Sequence, residues 1–321
     1  MKELVIISGK GGTGKTSITA ALSGLAENHI IVDCDVDAAD MHLILHPKIE
    51  KTVEFYSGKQ AEINLELCKK CGRCIEVCKF DAVRDDFIPK QKWFSEGGKP
   101  EFFETSAISE NSITNSQPTC YKIDEIKCEG CGACYFNCPH QAIKFEQVKS
   151  GEWFESNTRF GKLIHAKLGI AEENSGKLVS EIRNHARLVA HKNNNDLIIV
   201  DGSPGIGCPV IASISGAHLV LIVTEPTMSG IHDAQRVYEL TKHFKIPASV
   251  CINKYDINLE LAAKMEIFCK ENNIPVLGKI PYSKEFTEAM IKGLTVVENI
   301  SESEVSQKIK SMWNKINTRI K

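Results

Sequence analysis

Two patterns in this sequence carry residues able to do chemistry. Eight cysteines fall into two runs, Cys68, Cys71, Cys74, Cys78 and Cys128, Cys131, Cys134, Cys138, each spaced C-x2-C-x2-C-x3-C. Thiolates crowded on a short loop grip soft metals, which here means an iron–sulfur cluster or zinc. Zinc sites rarely show this doubled four-cysteine register. The second pattern is the string Gly9, Lys10, Gly11, Gly12, Thr13, Gly14, Lys15, Thr16, followed by Ser17. Its glycines let successive backbone N–H groups turn inward on phosphate oxygens, while Lys15 reaches the outer phosphates and Thr16 offers a hydroxyl to Mg²⁺. Asp33, Asp35, Asp37 and Asp40 crowd four carboxylates into a short stretch, and residues 197–200 form an apolar run that ends in Asp201. Carboxylate oxygens suit the hard Mg²⁺ ion.

These side chains need elements to position them. An apolar run at 4–7 precedes the glycine loop, a helical stretch spans about 15–27, and a second apolar run at 30–32 precedes the aspartates. The alternation resumes with apolar runs at 197–200, 219–223, 248–252 and 275–280, separated by amphipathic stretches such as 231–244 and 259–272. Strands alternating with helices at this spacing predict an α/β fold with a doubly wound, mainly parallel sheet. Between 58 and 146 the pattern breaks down, and all eight clustered cysteines lie there. The expected organisation is therefore a core in two parts, 1–57 and 147–321, with a small α+β insert at 58–146. Within the insert, CKKCGRCIEVCKFDAV and CEGCGACYFNCPHQAI repeat each other, which predicts two pseudo-symmetric halves. A spacer at 90–119, rich in Gly, Ser, Asn and Pro, separates them and is expected to form a hairpin or a partner-docking loop.

Composition narrows the function classes. The 321 residues include 39 basic and 41 acidic side chains and have a formal charge of -2, so bulk electrostatics recruit neither nucleic acid nor an anionic surface. The N-terminus carries no signal-peptide pattern, and no apolar run reaches the roughly 18 residues of a transmembrane helix. Thirteen cysteines in a chain of this length point to metal in a reducing compartment, and a cytoplasmic location is expected. Near the C-terminus Val305, Ile309, Met312, Trp313, Ile316 and Ile320 recur at helical spacing, predicting a helix docked on the core, with acids at its start and bases at its end. Cys34, Cys120, Cys208, Cys251 and Cys269 read as small buried hydrophobes.

The loop GKGGTGKT resembles the deviant Walker A loop of the MinD/ParA ATPases, a group that includes the Mrp-type cluster carriers and the nitrogenase iron protein. The resemblance implies a Mg²⁺-dependent ATPase in which Lys10 contacts nucleotide across a dimer interface; the alternative is a solvated loop lysine. It further implies that Asp35 sits near Mg²⁺ and the attacking water, and that Asp201 binds Mg²⁺ through water. The Gly205 amide is then expected to sense the γ-phosphate, while Asn253, with Pro281 packed nearby, reads the base. ATP follows from the resemblance alone, because Asn253-Lys254-Tyr255-Asp256 also resembles a guanine-reading NKxD string. Asp37 and Asp40 have helix capping as an equal alternative.

The cysteine runs, the second continuing into Pro139, are similar to those of bacterial di-cluster ferredoxins. That likeness implies two 4Fe–4S clusters with crossed ligands, one on Cys68, Cys71, Cys74 and Cys138, the other on Cys128, Cys131, Cys134 and Cys78. Lys79 stands where the ferredoxin pattern has a proline. Residues 174–179 resemble a string in the ferredoxin-containing MinD-type ATPases of the orange-protein complex, where Lys177 is either a second phosphate or interface contact, or part of a helix start capped by Ser175. Together these likenesses imply a dimeric, ATP-driven switch, homodimeric or paired with a paralogous ATPase, that passes electrons or a metallocluster to a client metalloprotein or redox partner. The competing expectation is a positioning protein whose clusters are structural or redox-sensing. Cys208 lies seven residues after Asp201, an offset similar to that of a cluster ligand in the nitrogenase iron protein.

Overall fold

In the computed structural model, which describes residues 1–36, 38–85, 121–169 and 174–320, strands and helices alternate along most of the chain. β1 (Lys2–Ser8) leads through the glycine loop into α1 (Lys15–Ser23), β2 (His29–Asp33) and α2 (Met41–Leu45). The middle of the chain holds β3 (Lys48–Ile63), α3 (Arg73–Val77), β4 (Val83–Asp85), β5 (Tyr121–Ile123), α4 (Ala133–Phe136), β6 (Ile143–Thr158) and β7 (Gly161–Leu168). Alternation then resumes through α5 (Ser175–Asn193), β8 (Leu197–Pro204), α6 (Cys208–Ile214), β9 (Leu219–Thr224), α7 (Met228–His243) and β10 (Ala248–Asn253). It closes with α8 (Leu259–Glu271), β11 (Val276–Ile280), α9 (Glu285–Ile291), α10 (Val296–Asn299) and α11 (Glu304–Ile320). Asp37, Cys120 and the 90–119 spacer lie outside the described residues.

The main sheet has strand order β11-β10-β9-β1-β8-β2-β7-β6-β3. From β11 to β7 every pairing is parallel, and β6 joins β7 antiparallel. β1 is central because its whole apolar run is buried and feeds both faces. Val5 and Ile7 enter one core with α5 and α7 residues such as Ile182 and Val237, while Leu4 and Ile6 enter another with α1 and α11 residues such as Ile18 and Ile309. A parallel strand covered on both sides has no polar face, hence the unbroken apolar run. The order turns about β1, which lies between β8 and β9, and the glycine loop leaves its carboxyl end. That is where open α/β sheets bind ligands.

Two compact units result, Met1–Phe55 with Lys149–Lys321, and Tyr56–Val148. The second unit holds both cysteine runs. Its core gathers Ala61, Ile63, Val83, Tyr121 and Ile143 around Cys74 and Cys134, and β4 and β5 pair antiparallel within it. The repeat seen in the sequence is kept by the backbone. Lys70 and Gly130 share φ 56° and 59°, Gly72 and Gly132 share 75° and 74°, and Asp81 and Gln141 share 49° and 50°.

All six residues of the C-terminal stripe are buried against the second face of the sheet. No helix among the described residues is long and apolar enough to cross a membrane. Local expectations at two helix starts are corrected. Asp40 occupies the N-cap of α2 but its side chain makes no cap hydrogen bond, and α5 is entered from Asn174 in a left-handed conformation, φ 73°, with Ser175 already helical.

Candidate functional site

Parallel pairing sets the acids beside the glycine loop. Register places Ile6 and Asp33 on either side of Asp201, so the ends of β1, β2 and β8 converge on one carboxylate. Asp201 is fully buried. Lys15 Nζ lies 2.9 Å from its Oδ2 and 3.5 Å from Asp35 Oδ2. The Thr16 hydroxyl donates to Asp201 Oδ2 at 2.7 Å, and the Thr19 hydroxyl donates to Oδ1 at 2.9 Å. Burial opposes charge on Lys15, yet the carboxylates of Asp201, Asp35 and Asp33 hold its pKa above the usual lysine value. Asp33 is pushed the other way: burial, then repulsion from Asp201, raises it to about 8.

The residues present fit both groups the site implies. Thr13 is 2% exposed, and its hydroxyl has no hydrogen-bond partner among the described residues, a buried donor left over inside a phosphate-type loop. Thr16, Asp35 and Asp201 supply an all-oxygen donor set of the kind Mg²⁺ takes. Gly14 is required by contact as well as by its φ of 87°, since a Cβ there would stand 2.5 Å from Asn253 Nδ2.

The other expected site residues make contacts within the chain. Asn253 is 4% exposed and donates its amide to the Thr13 carbonyl at 2.8 Å, so its side chain braces the loop instead of presenting a free edge to a base. The neighbouring Lys254 likewise holds the Gly12 carbonyl at 3.0 Å. After Pro281, the Tyr282 N–H donates to Asp256 Oδ1 at 2.6 Å, tying the two loops that follow β10 and β11. The Gly205 N–H donates to the Ser8 carbonyl at 2.9 Å, because β8 keeps pairing with β1 as far as Ser8 and Pro204. Lys10 Nζ stands 2.7 Å from Glu225 Oε1 and 3.2 Å from Ser229 Oγ. Glu225 also pairs with Lys254 at 3.1 Å. Burial works against its charge, but the two lysines hold its pKa below the ordinary carboxylate value.

Two participants escaped the sequence reading, and a third, Asp33, was read only as one of four crowded aspartates. Thr19 stands one helical turn after Lys15, and Glu225 follows a buried parallel strand, so both carried a positional signal; Asp33, the first of four aspartates, carried none that set it apart.

In the second unit a small recess is lined by Cys78 together with Cys128, Cys131 and Cys134. Three cysteines of one run thus meet the last cysteine of the other. Although burial favours the thiol, backbone N–H groups of Phe80, Ala82 and Val83 hold the Cys78 pKa below its usual value. Cys138 accepts a comparable bond from the Ala142 N–H at 3.3 Å. Burial instead pushes Cys74 up to about 11. Among the described residues no His, Cys, Asp or Glu side chains are grouped as they would be around one metal ion. A cubane differs in that each cysteine binds its own iron, so its ligands stand further apart than those of a zinc ion.

Cys34, Cys251 and Cys269 are buried, but Cys208 is exposed, which corrects its assignment as a core residue. It opens α6 so close to α5 that a Cβ on Gly176 would stand 3.1 Å from its own. Lys177 Nζ lies over the Phe55 ring, 5.5 Å from the centroid.

The fold and the loop chemistry together define a P-loop nucleotide-binding protein. Residues 4–296 match the family of CobQ/CobB/MinD/ParA nucleotide binding domains, and the chain belongs to that family, whose MinD and ParA members are ATPases. It is 32% identical over 317 residues to the uncharacterized protein MJ0578 of Methanocaldococcus jannaschii, covering 98% of this chain and 96% of that one. With MJ0579 of the same organism the identity is 27% over 301 residues, covering 91% of each. Among solved structures, MinD of Pyrococcus horikoshii complexed with Mg-ADP superposes with a TM-score of 0.54 at 16% identity, covering 98% of this chain and 96% of that chain. The cell division ATPase MinD of Pyrococcus furiosus gives 0.54 at 17%, covering 99% and 98%. At these identities the likeness is one of fold.

Proposed function

We propose that the chain is a dimeric, Mg²⁺-dependent ATPase that couples nucleotide turnover to two 4Fe–4S clusters, delivering electrons or a metallocluster to a client protein. The observation that carries this reading is the recess in which Cys78 joins Cys128, Cys131 and Cys134, in the same chain as a complete phosphate loop. When bound, the clusters supply one-electron storage at low potential. The chain's own residues do the remainder. The glycine loop and Lys15 bind and orient the phosphates, Thr16 and Asp201 hold Mg²⁺, and Asp35 orients the attacking water. Lys10 completes the site of the partner protomer, identical or paralogous, after leaving Glu225.

Anaerobically purified protein is expected to carry about eight irons per chain and to hydrolyse ATP. Lys15→Ala should slow hydrolysis by about 10²-fold or more while the iron content stays unchanged, because the two chemistries use separate residues. Stoichiometric zinc without iron after reconstitution would overturn the cluster reading, and nucleotide-dependent positioning without client chemistry would favour the competing role.

A further inference from the structure

The two cysteine loops match in backbone but not in charge. Each ligand of the first run has a basic neighbour in sequence: Lys69 follows Cys68, Lys70 precedes Cys71, Arg73 precedes Cys74 and Lys79 follows Cys78. All four are exposed. Arg73 is engaged by Glu76 at 2.8 Å, whereas Lys69, Lys70 and Lys79 have no ion-pair partner among the described residues. In the same loop Leu67 and Ile75 are 51% and 38% exposed, and the exposed acids Glu66 and Asp81 flank it. From Lys127 to Pro139 the second loop carries two charged side chains of opposite sign, Lys127 and Glu129, and its exposed surface is aromatic, with Phe136 78% exposed and Tyr135 stacked on Phe145 at 5.6 Å.

An apolar patch rimmed by unpaired charge is the usual construction of a transient docking surface, in which charge steers the encounter and the apolar contact holds it briefly. Positive charge beside a cluster also stabilises its reduced, more negative state. We propose that the first cysteine loop is the port at which an acidic one-electron carrier protein docks and hands over an electron. One electron leaves the carrier, which is oxidised by one, and enters this chain, which is reduced by one; no atom or proton is transferred. The inference rests on the cluster reading above and names the partner's chemistry.

The test uses the full chain, reconstituted anaerobically, with iron analysis done first; a chain that takes up no iron would sink both readings, whereas every later outcome concerns docking alone. The binding probe is a plant-type 2Fe–2S ferredoxin, an acidic carrier, made redox-silent by gallium substitution, and its reduced iron form is the donor in stopped-flow reduction. Probe affinity is expected to fall at least about tenfold between about 50 and about 500 mM salt, a range that shortens the Debye length severalfold. The combined Lys69→Gln, Lys70→Gln and Lys79→Gln variant should lose about tenfold in both affinity and reduction rate at low salt, with unchanged iron, while Phe136→Ala stays within about twofold. If the triple variant folds poorly, the salt series on the unmodified chain decides. Salt-independent binding, full activity of the triple variant, or tighter binding of a basic carrier of the c-type cytochrome kind would overturn the proposal.

Discussion

Asp33 shows how far a single side chain can depart from what its string suggests. Sequence reading singled out Asp35 and Asp201, whose neighbours it could place, yet Asp33 is strongly perturbed by its surroundings, because parallel pairing sets it beside Asp201 in a buried strand end. Such an effect is invisible in one dimension, since it arises from the register between β2 and β8. Its consequence is a pH dependence of known sign. Burial raises the folded pKa from 3.8 to about 8, so the folded chain holds a proton that the unfolded chain releases throughout that interval. Stability contributed by this proton is present at the acidic end and lost as pH rises towards 8. In Mg²⁺-free and nucleotide-free protein, Asp33→Asn should therefore flatten the decline in denaturant midpoint between about pH 6 and 8.5. A variant that declined as steeply as the parent would assign the slope to other groups.

At the scale of elements, the buried parallel strands and the amphipathic helices were legible because each leaves a periodic apolar trace. β3, β6 and β7 were not recognised. β3 and β6 run 16 residues each with mostly exposed or half-buried side chains, and charge pairs such as Lys162 with Glu50 and Glu155 replace apolar alternation. Long edge ribbons held by ion pairs look like loops to a hydrophobic pattern. α11 lies at the opposite extreme. Its stripe is continuous and wholly buried, so it is expected to be part of the core. Ile309, 0% exposed, should cost about 2–5 kcal/mol on replacement by Ala, and removal of the chain after Ser301 should prevent cooperative unfolding altogether. A truncated chain that melted like the parent would mean that this helix is a detachable arm.

For the molecule as a whole, the proposed pair of clusters raises the question whether each cysteine run would serve its own cluster or lend its last member to the other. Sequence spacing alone suits either arrangement, because both use the same eight residues. The recess is what favours the second arrangement: Cys78, which belongs to the first run, lines it together with Cys128, Cys131 and Cys134 of the second. Crossed ligation would make the two halves of the unit interdependent, and double substitutions read this directly. Two changes on one cluster cost little more than either alone, whereas changes on different clusters add. Cys78→Ser combined with Cys131→Ser should leave about four irons per chain, and Cys78→Ser combined with Cys71→Ser should leave almost none. Under uncrossed ligation the two results exchange places. ATP hydrolysis measured on the same samples should track neither pair, since Lys15, Thr16 and Asp201 form their contacts within the other unit.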